Sequence, residues 1–394
     1  MKFFKNILIS SLLSSASFFC FAQKDTCIFV ITDPLGGDSS EYYMASNANG
    51  WNPKDDRYKF TKAPNGKISL VCYFDKGTDL EFKFTKGSWE SVECDKGGAD
   101  IENHRIKTRS DVFWGYEIKD WKDAYRKHTA STNVRILDTA FFIPQLNRKR
   151  RIWIYLPKDY TFTHKRYPVL YMHDGQNLFD ALTSGYGEWG VDECLDTLQA
   201  NGNPACIVIG IDNDGANRMS EYNPYEFTYK GINIETTFGA EGDLYIDFLI
   251  QTLKPFIDKQ YRTLSGKENT IVAGSSMGAL ISYYAMLKHP NVFGKAGVFS
   301  PAFWTAPAIN NLTDSIGNKV SGKMFFYMGE QEGDDDLKLM NNIKEDIAAK
   351  SSVMIYSVID PEGKHNEAAW RKWFPEFYKW IMADGFNNII KPEE

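Results

Sequence analysis

The pentapeptide Gly274-Ser275-Ser276-Met277-Gly278 has the residue types and spacing for nucleophilic chemistry. A serine hydroxyl attacks well only from an exposed position with a base at hand, and a sharp turn between a strand and a helix supplies the exposure. Such a turn strains the backbone at the serine, so its neighbours must be small. Gly274 and Gly278 meet that need. Residues 270–273 are β-branched and apolar, as in a buried parallel strand, and residues 279–287 read as a helix ending near His289-Pro290. The helix would aim its positive N-terminus at the reaction centre. Ser276 is therefore the candidate nucleophile. The alternative is a small-residue turn that packs a helix on a sheet.

A serine nucleophile needs a base to take its proton. The base needs a carboxylate to hold its tautomer and stabilise the imidazolium. Among His164, His173, His289 and His365, only His365 lies between a last strand and a last helix, in the loop at 360–365. From there an imidazole can swing over a strand edge. The acid should follow the strand at 323–328, where Glu330, Glu332, Asp334, Asp335 and Asp336 crowd one loop. Glu332, at the fourth position after the strand, is the choice, with Asp334, Asp335 and Asp336 as alternatives. The remaining carboxylates read as solvated.

A tetrahedral intermediate also needs two N–H donors. Met277 should supply one, and Gly175 or Gln176, in the loop after the strand at 167–172, the other. His173 ends that strand and reads as shaping the same loop. Asp174, Arg218 and Trp304 are pocket candidates. Arg218 could hold a substrate oxygen, or pair with Glu221 or Glu188 to pin a loop. Trp304 could wall the pocket or pack in the core. No metal or organic cofactor is expected. The loop at 329–336 lacks calcium-ligand spacing, and Asp212-Asn-Asp-Gly215 is followed by Ala216 and Asn223 where further oxygen ligands would be needed. No C-x-x-C or Cys/His cluster suggests zinc.

The elements that must position these groups form two regions. Residues 134–143 and 151–156 read as a hairpin, with the basic run Arg148 to Arg151 as its solvated turn. Strands at 167–172, 205–211, 270–273, 323–328 and 353–358 then alternate with helices at 191–199, 245–254, 279–287 and 368–382. That alternation predicts a mostly parallel sheet covered on both faces. Ahead of it, short strands at 27–32, 68–74, 80–84 and 89–94, separated by Gly, Asp, Asn and Pro turns, read as a small all-β domain. The division is a leader at 1–22, a β-sandwich at 23–120, a polar linker at 121–133 and an α/β domain at 134–394.

The leader has a basic start, a short apolar core and a small residue before Gln23, as in a secretory signal peptide cleaved after Ala22. An exported, periplasmic or secreted, protein is the expectation, with no transmembrane segment. The chain carries a net charge of −6, and loss of Lys2 and Lys5 with the leader makes it more negative. An acidic chain with no concentrated basic face is a poor nucleic-acid binder. Export permits disulfides, for which Cys72–Cys94 and Cys194–Cys206 are the possible pairs.

Two resemblances add to this reading. Residues 48–53, including Trp51, and 82–93, including Trp89, resemble starch- and glycogen-binding β-sandwich modules of immunoglobulin-like fold, although Asn103-His-Arg105 only approximates their Asn-Arg pair. In such modules Trp51 and Trp89 would stack on sugar faces. The alternative is that both pack the core or a domain boundary. From residue 134 onward, Tyr171-Met-His-Asp-Gly-Gln-Asn-Leu-Phe-Asp180, Gly187-Glu-Trp-Gly-Val-Asp-Glu193, Tyr261-Arg-Thr263, Gly274 to Gly278, Ser300-Pro-Ala-Phe-Trp304 and His365-Asn-Glu367 with Trp370 together resemble the putative-esterase family of α/β-hydrolases. That family includes enterochelin, feruloyl and acetylxylan esterases and S-formylglutathione hydrolases. The resemblance implies ester hydrolysis with Ser276 as nucleophile, His365 as base and the acid near Glu332. The expected function is an exported serine carboxylic-ester hydrolase acting on glycan-linked acetyl or feruloyl esters. The alternatives are a siderophore trilactone esterase, an acyltransferase on the same triad and a catalytically silent glycan-binding protein.

Overall fold

The structure is a computed structural model that describes residues 24–34, 40–64, 66–110, 112–125, 128–231 and 234–383. The expected leader lies outside the described residues. Burial alternates along Lys24–Thr32, Ile68–Asp75 and Val112–Glu117, so each strand turns one face toward the core. Lys24–Thr32 pairs antiparallel with Ile68–Asp75 and parallel with Val112–Glu117. A second sheet joins Tyr43–Ser46, Asp79–Thr85 and His104–Lys107. Phe29, Phe74, Phe82 and Phe84 are buried in the core these two sheets share.

The expected strand at 89–94 is instead a 3-10 turn, Trp89–Ser91, followed by the short strand Glu93–Cys94. Trp121, expected in the linker, is buried in the N-terminal core. Its indole donates to Asp33 at 2.7 Å, and its ring packs on Tyr42. The five described cysteines are free. The register faces Cys72 with Cys27 rather than Cys94, and burial pushes the Cys72 thiol up to about 12.

The C-terminal region is built on one eight-stranded sheet: β1 (Val134–Ile143), β2 (Arg148–Tyr155), β3 (Val169–His173), β4 (Ile207–Ile211), β5 (Thr270–Ser275), β6 (Lys295–Phe299), β7 (Ser321–Gly329) and β8 (Ser352–Asp360). Their spatial order is β1-β2-β4-β3-β5-β6-β7-β8. β2 is antiparallel to both its neighbours, and every pairing from β4 through β8 is parallel. β3, β4 and β5 are buried along their whole length, as strands covered on both faces must be.

The helices are α1 (Val191–Ala200), α2 (Arg218–Glu221), α3 (Gly242–Phe248), α4 (Lys254–Gln260), α5 (Met277–Lys288), α6 (Ile309–Ile316), α7 (Asp334–Lys350) and α8 (Glu367–Met382). A π-helical turn, Leu249–Leu253, joins α3 to α4, so the helix expected at 245–254 is longer than its sequence pattern indicated. α1 and α8 cover one face of the sheet, and α3 to α7 pack on the other. β6 escaped the sequence reading. It is only five residues long and contains Gly297, where a β-carbon would sit 2.7 Å from the ring of Phe377 on α8.

The run Arg148 to Arg151 is not a solvated turn. It is the start of β2, and Arg150 is buried. The Arg150 guanidinium grips the buried Glu221 carboxylate at 2.6 and 2.7 Å and Asp214 at 2.9 Å, while Arg148 reaches Glu221 at 2.7 Å and Glu241 at 2.6 Å. Arginine holds such pairs because its planar fork matches a carboxylate. This network ties the sheet to α2, which carries Arg218. Arg150→Ala leaves the buried Glu221 with Arg148 alone. The expected loss of stability is about 3 kcal/mol in a denaturant titration, and a loss under about 1 kcal/mol would mean that the network does not anchor α2.

Candidate active site

β5, β6 and β7 lie side by side, with Ser275 opposite Phe299 and Phe299 opposite Tyr327. The loops that leave their C-terminal edges therefore meet. Ser276 sits between β5 and α5 with φ 56° and ψ −121°. A non-glycine residue holds that conformation only when its surroundings impose it. Here its N–H donates to Phe299 at 2.9 Å, and its carbonyl accepts from Ala279, Leu280 and Ala302. The turn has no room for larger neighbours. A β-carbon on Gly274 would lie 2.9 Å from the Gly278 carbonyl carbon and 3.0 Å from the His173 ring, and one on Gly278 would lie 3.2 Å from the His173 β-carbon.

After β7 the chain turns through Glu330–Glu332. The Glu332 carboxylate points inward, with its side chain only 3% exposed. One of its oxygens accepts from the Gly329 N–H at 2.8 Å and the Ser300 hydroxyl at 2.7 Å, and the other lies 2.6 Å from His365 Nδ1. Asp334, Asp335 and Asp336 form the first turn of α7, where the helix N-terminus favours negative charge. Of the loop's carboxylates, then, Glu332 is the one bonded to His365. His365 stands in the loop between β8 and α8, half exposed, with the edge of its ring against Trp370 at 5.2 Å. Trp370 in turn donates its indole N–H to Ser300 at 2.9 Å. Trp370, Ser300, Glu332 and His365 thus make one chain of hydrogen bonds closed by an edge-to-face ring contact.

The loop after β3 begins with Asp174 in a left-handed conformation, φ 55°. Gly175 follows, and a β-carbon there would lie 2.7 Å from the Ile211 backbone nitrogen. The backbone N–H groups of Gly175, Gln176 and Met277 donate to no acceptor among the described residues. Buried His173 backs the elbow, its Nδ1 2.9 Å from the Tyr245 hydroxyl, and burial lowers it to about 4, so it is neutral. Arg218 pairs with neither Glu221 nor Glu188. It binds Asp174 through two hydrogen bonds, at 2.7 and 2.9 Å, and Asn213 adds a third at 2.7 Å. Burial alone would raise the Asp174 carboxyl, but the Arg218 charge and these bonds hold it below the usual carboxylate range. The Glu221 alternative fails because that carboxylate is already held by Arg148 and Arg150. Trp304 is not in the core. It is 46% exposed and stands edge-on to Phe227 of the hairpin strand Phe227–Gly231.

A profile of the putative esterase family matches residues 143–381, more than half of the chain. The chain belongs to that family. Among the relatives of this esterase, YbbA of Bacillus subtilis is 28% identical over 184 residues, 47% of this chain and 69% of that protein. An endo-1,4-beta-xylanase/feruloyl esterase of Xylanibacter ruminicola is 28% identical over 186 residues, 45% of this chain but only 23% of that protein. The enterobactin esterase FES of Shigella flexneri superposes with a TM-score of 0.51 at 14% identity, covering 90% of this chain and 92% of that one. That likeness is one of fold and extends over both regions of the esterase. No helix among the described residues is long and apolar enough to cross a membrane.

Sequence reasoning missed three groups at the site. Ser300 and Trp370 lay inside the quoted motifs, but nothing in their spacing signalled that they bond to each other and to Glu332. The third is Glu367, two residues after His365. It is buried and accepts from Asn177 at 3.2 Å, in the loop that begins with Asp174. Burial pushes its carboxyl up to about 8, from 4.5 for an ordinary glutamate. The native state therefore keeps a proton that the unfolded chain has lost. The stability this gives is complete below about 4.5 and is lost as pH rises through about 8. Glu367→Gln cannot ionise. Its melting temperature should exceed that of the parent by a margin that opens between about pH 5 and pH 8 and reaches several degrees. A margin that stays constant across that range would contradict this assignment.

Proposed function

We propose that the protein is an exported serine carboxylic-ester hydrolase that works through an acyl-enzyme. Ser276 attacks the ester carbonyl while His365 takes its proton and Glu332 holds the imidazole. The oxyanion is received by the Met277 N–H and by that of Gln176 or Gly175. Deacylation repeats the cycle with water as nucleophile. The observation that carries this reading is the 2.6 Å contact of His365 Nδ1 with a Glu332 carboxylate fixed by two further donors, two strands along the sheet from a serine held at φ 56°. No step requires a metal or an organic cofactor.

The proposed substrates are acetyl or feruloyl esters of glycans. The likeness to the endo-1,4-beta-xylanase/feruloyl esterase of Xylanibacter supports this, as does the resemblance of the N-terminal region to immunoglobulin-like carbohydrate-binding sandwiches, with Trp51 and Trp89 as candidate contacts. The division into a leader at 1–22, a sandwich at 23–120, a linker at 121–133 and a hydrolase at 134–394 belongs to the same proposal, with Trp121 moved from the linker into the sandwich. The second reading, a siderophore trilactone esterase, draws on the likeness to the enterobactin esterase over 90% of the chain. Charge weighs against it. Arg218, which would have to meet an anionic catecholate, is already engaged by Asp174, and Glu90 lies near the same site. An intact Ser-His-acid set weighs against a silent binding protein.

The test is hydrolysis of p-nitrophenyl acetate and butyrate by the mature protein beside Ser276→Ala and Glu332→Gln. Ser276→Ala should abolish turnover, and Glu332→Gln should lower kcat by about 10³- to 10⁴-fold, as loss of the orienting carboxylate does in serine hydrolases. Undiminished turnover in Ser276→Ala would refute the mechanism.

A further inference from the structure

The loop at 184–187 is held between the two halves of the candidate site. The Gly185 N–H donates to Asn177 Oδ1 at 3.2 Å, one residue after Gln176, and a β-carbon on Gly187 would lie 3.5 Å from that of Glu367, two residues after His365. Between these anchors stands Tyr186, 51% exposed. Its ring does not face open solvent alone. Trp89 of the N-terminal region lies 5.0 Å from it at an interplanar angle of 39°, and Trp51 lies 6.4 Å beyond Trp89 at 38°. The approach is close enough that a β-carbon on Gly185 would touch that of Trp89 at 3.3 Å. The Lys364–Glu102 ion pair, 2.6 Å, brings the two regions together again at the residue before His365. Around Tyr186 the titratable groups are Arg218, Glu367, Glu90 and Asp174; Arg218 and Asp174 pair with each other, and burial keeps Glu367 protonated.

Three partly exposed rings that step from one region onto the rim of the other offer flat apolar surfaces. The Glu90 carboxylate beside them suits ligands rich in hydroxyl donors and disfavours anions. We propose that Trp51, Trp89 and Tyr186 form a stacking subsite, shared by both regions, that holds the sugar carrying the scissile acyl group. The proposal rests on the glycan-ester reading and goes beyond it. It puts sugar recognition at the mouth of the hydrolytic site, on the alcohol side of the ester, rather than on a separate binding module.

The experiment compares kcat/KM for an acetylated xylo-oligosaccharide with that for p-nitrophenyl acetate, using the full mature chain and its Tyr186→Ala, Trp89→Ala and Trp89→Phe variants. The sugar-to-nitrophenyl ratio should fall by roughly threefold to tenfold in each alanine variant and recover in Trp89→Phe. Tyr186→Ala keeps the test open if Trp89→Ala unfolds, because Tyr186 is on the surface. A ratio unchanged in Tyr186→Ala overturns the subsite while leaving a glycan esterase standing. So does a loss that follows the acyl group, read as methyl ferulate against methyl acetate, because the rings would then be holding the acyl side. A parent protein that cleaves p-nitrophenyl acetate but no acetylated glycan refutes the glycan reading itself, and the subsite with it.

Discussion

The buried Glu332 carboxylate is the group on which the rest of the site depends. Taking a carboxylate out of water is costly unless donors replace the solvent. Here the Gly329 N–H, the Ser300 hydroxyl and the His365 imidazole do so. Each donor comes from a different part of the fold: the end of β7, the loop after β6 and the loop after β8. Meeting the needs of one carboxylate therefore fixes three loops relative to one another, and Trp370 of α8 locks the arrangement from behind through Ser300. Close backbone contacts support it. Gly329 and Gly363 approach so tightly that a β-carbon on Gly329 would collide with the Gly363 backbone.

Parallel strands explain why such a constellation can form. Neighbouring strands end at the same edge, so residues distant in sequence emerge side by side, as in other open α/β sheets that bind ligands beyond the carboxyl ends of their strands. The Ser276 turn, the Ser300 loop and the Glu332 turn leave three adjacent strands in this way. On the other side of the elbow, the Asp174–Arg218 pair and the arginine–glutamate network behind α2 hold the loop that carries Gly175 and Gln176. On both sides buried hydrogen bonds hold the loops in place, as a site with preorganised donors requires.

Much of this was legible in the sequence because the signals were local. The elbow is written in adjacent residues: small side chains around Ser276, an apolar run before it and a helix after it. His365 was identified by its place between the last strand and the last helix, and Glu332 by its distance from the end of β7. What could not be read depended on partners far apart in the chain. The Arg148 to Arg151 run looks solvated until Glu221 and Asp214 are brought against it. Arg218 had several acidic candidates nearby in sequence, yet its partner, Asp174, is 44 residues away. β6 was invisible because Gly297 makes room for Phe377 instead of supplying a hydrophobic signal of its own. Trp89 and Tyr186 could be recognised as neighbours only once the two regions were seen together.

The central claim is that Ser276, activated by His365 and Glu332, is the group that forms a covalent bond with the acyl carbon. A fluorophosphonate captures such a serine irreversibly, and intact-mass analysis followed by peptide mapping locates it. The account predicts a single adduct on Ser276, formed much more slowly in His365→Ala. An adduct on Ser275 or Ser300, or labelling of Ser276 at the parent rate without His365, would contradict it.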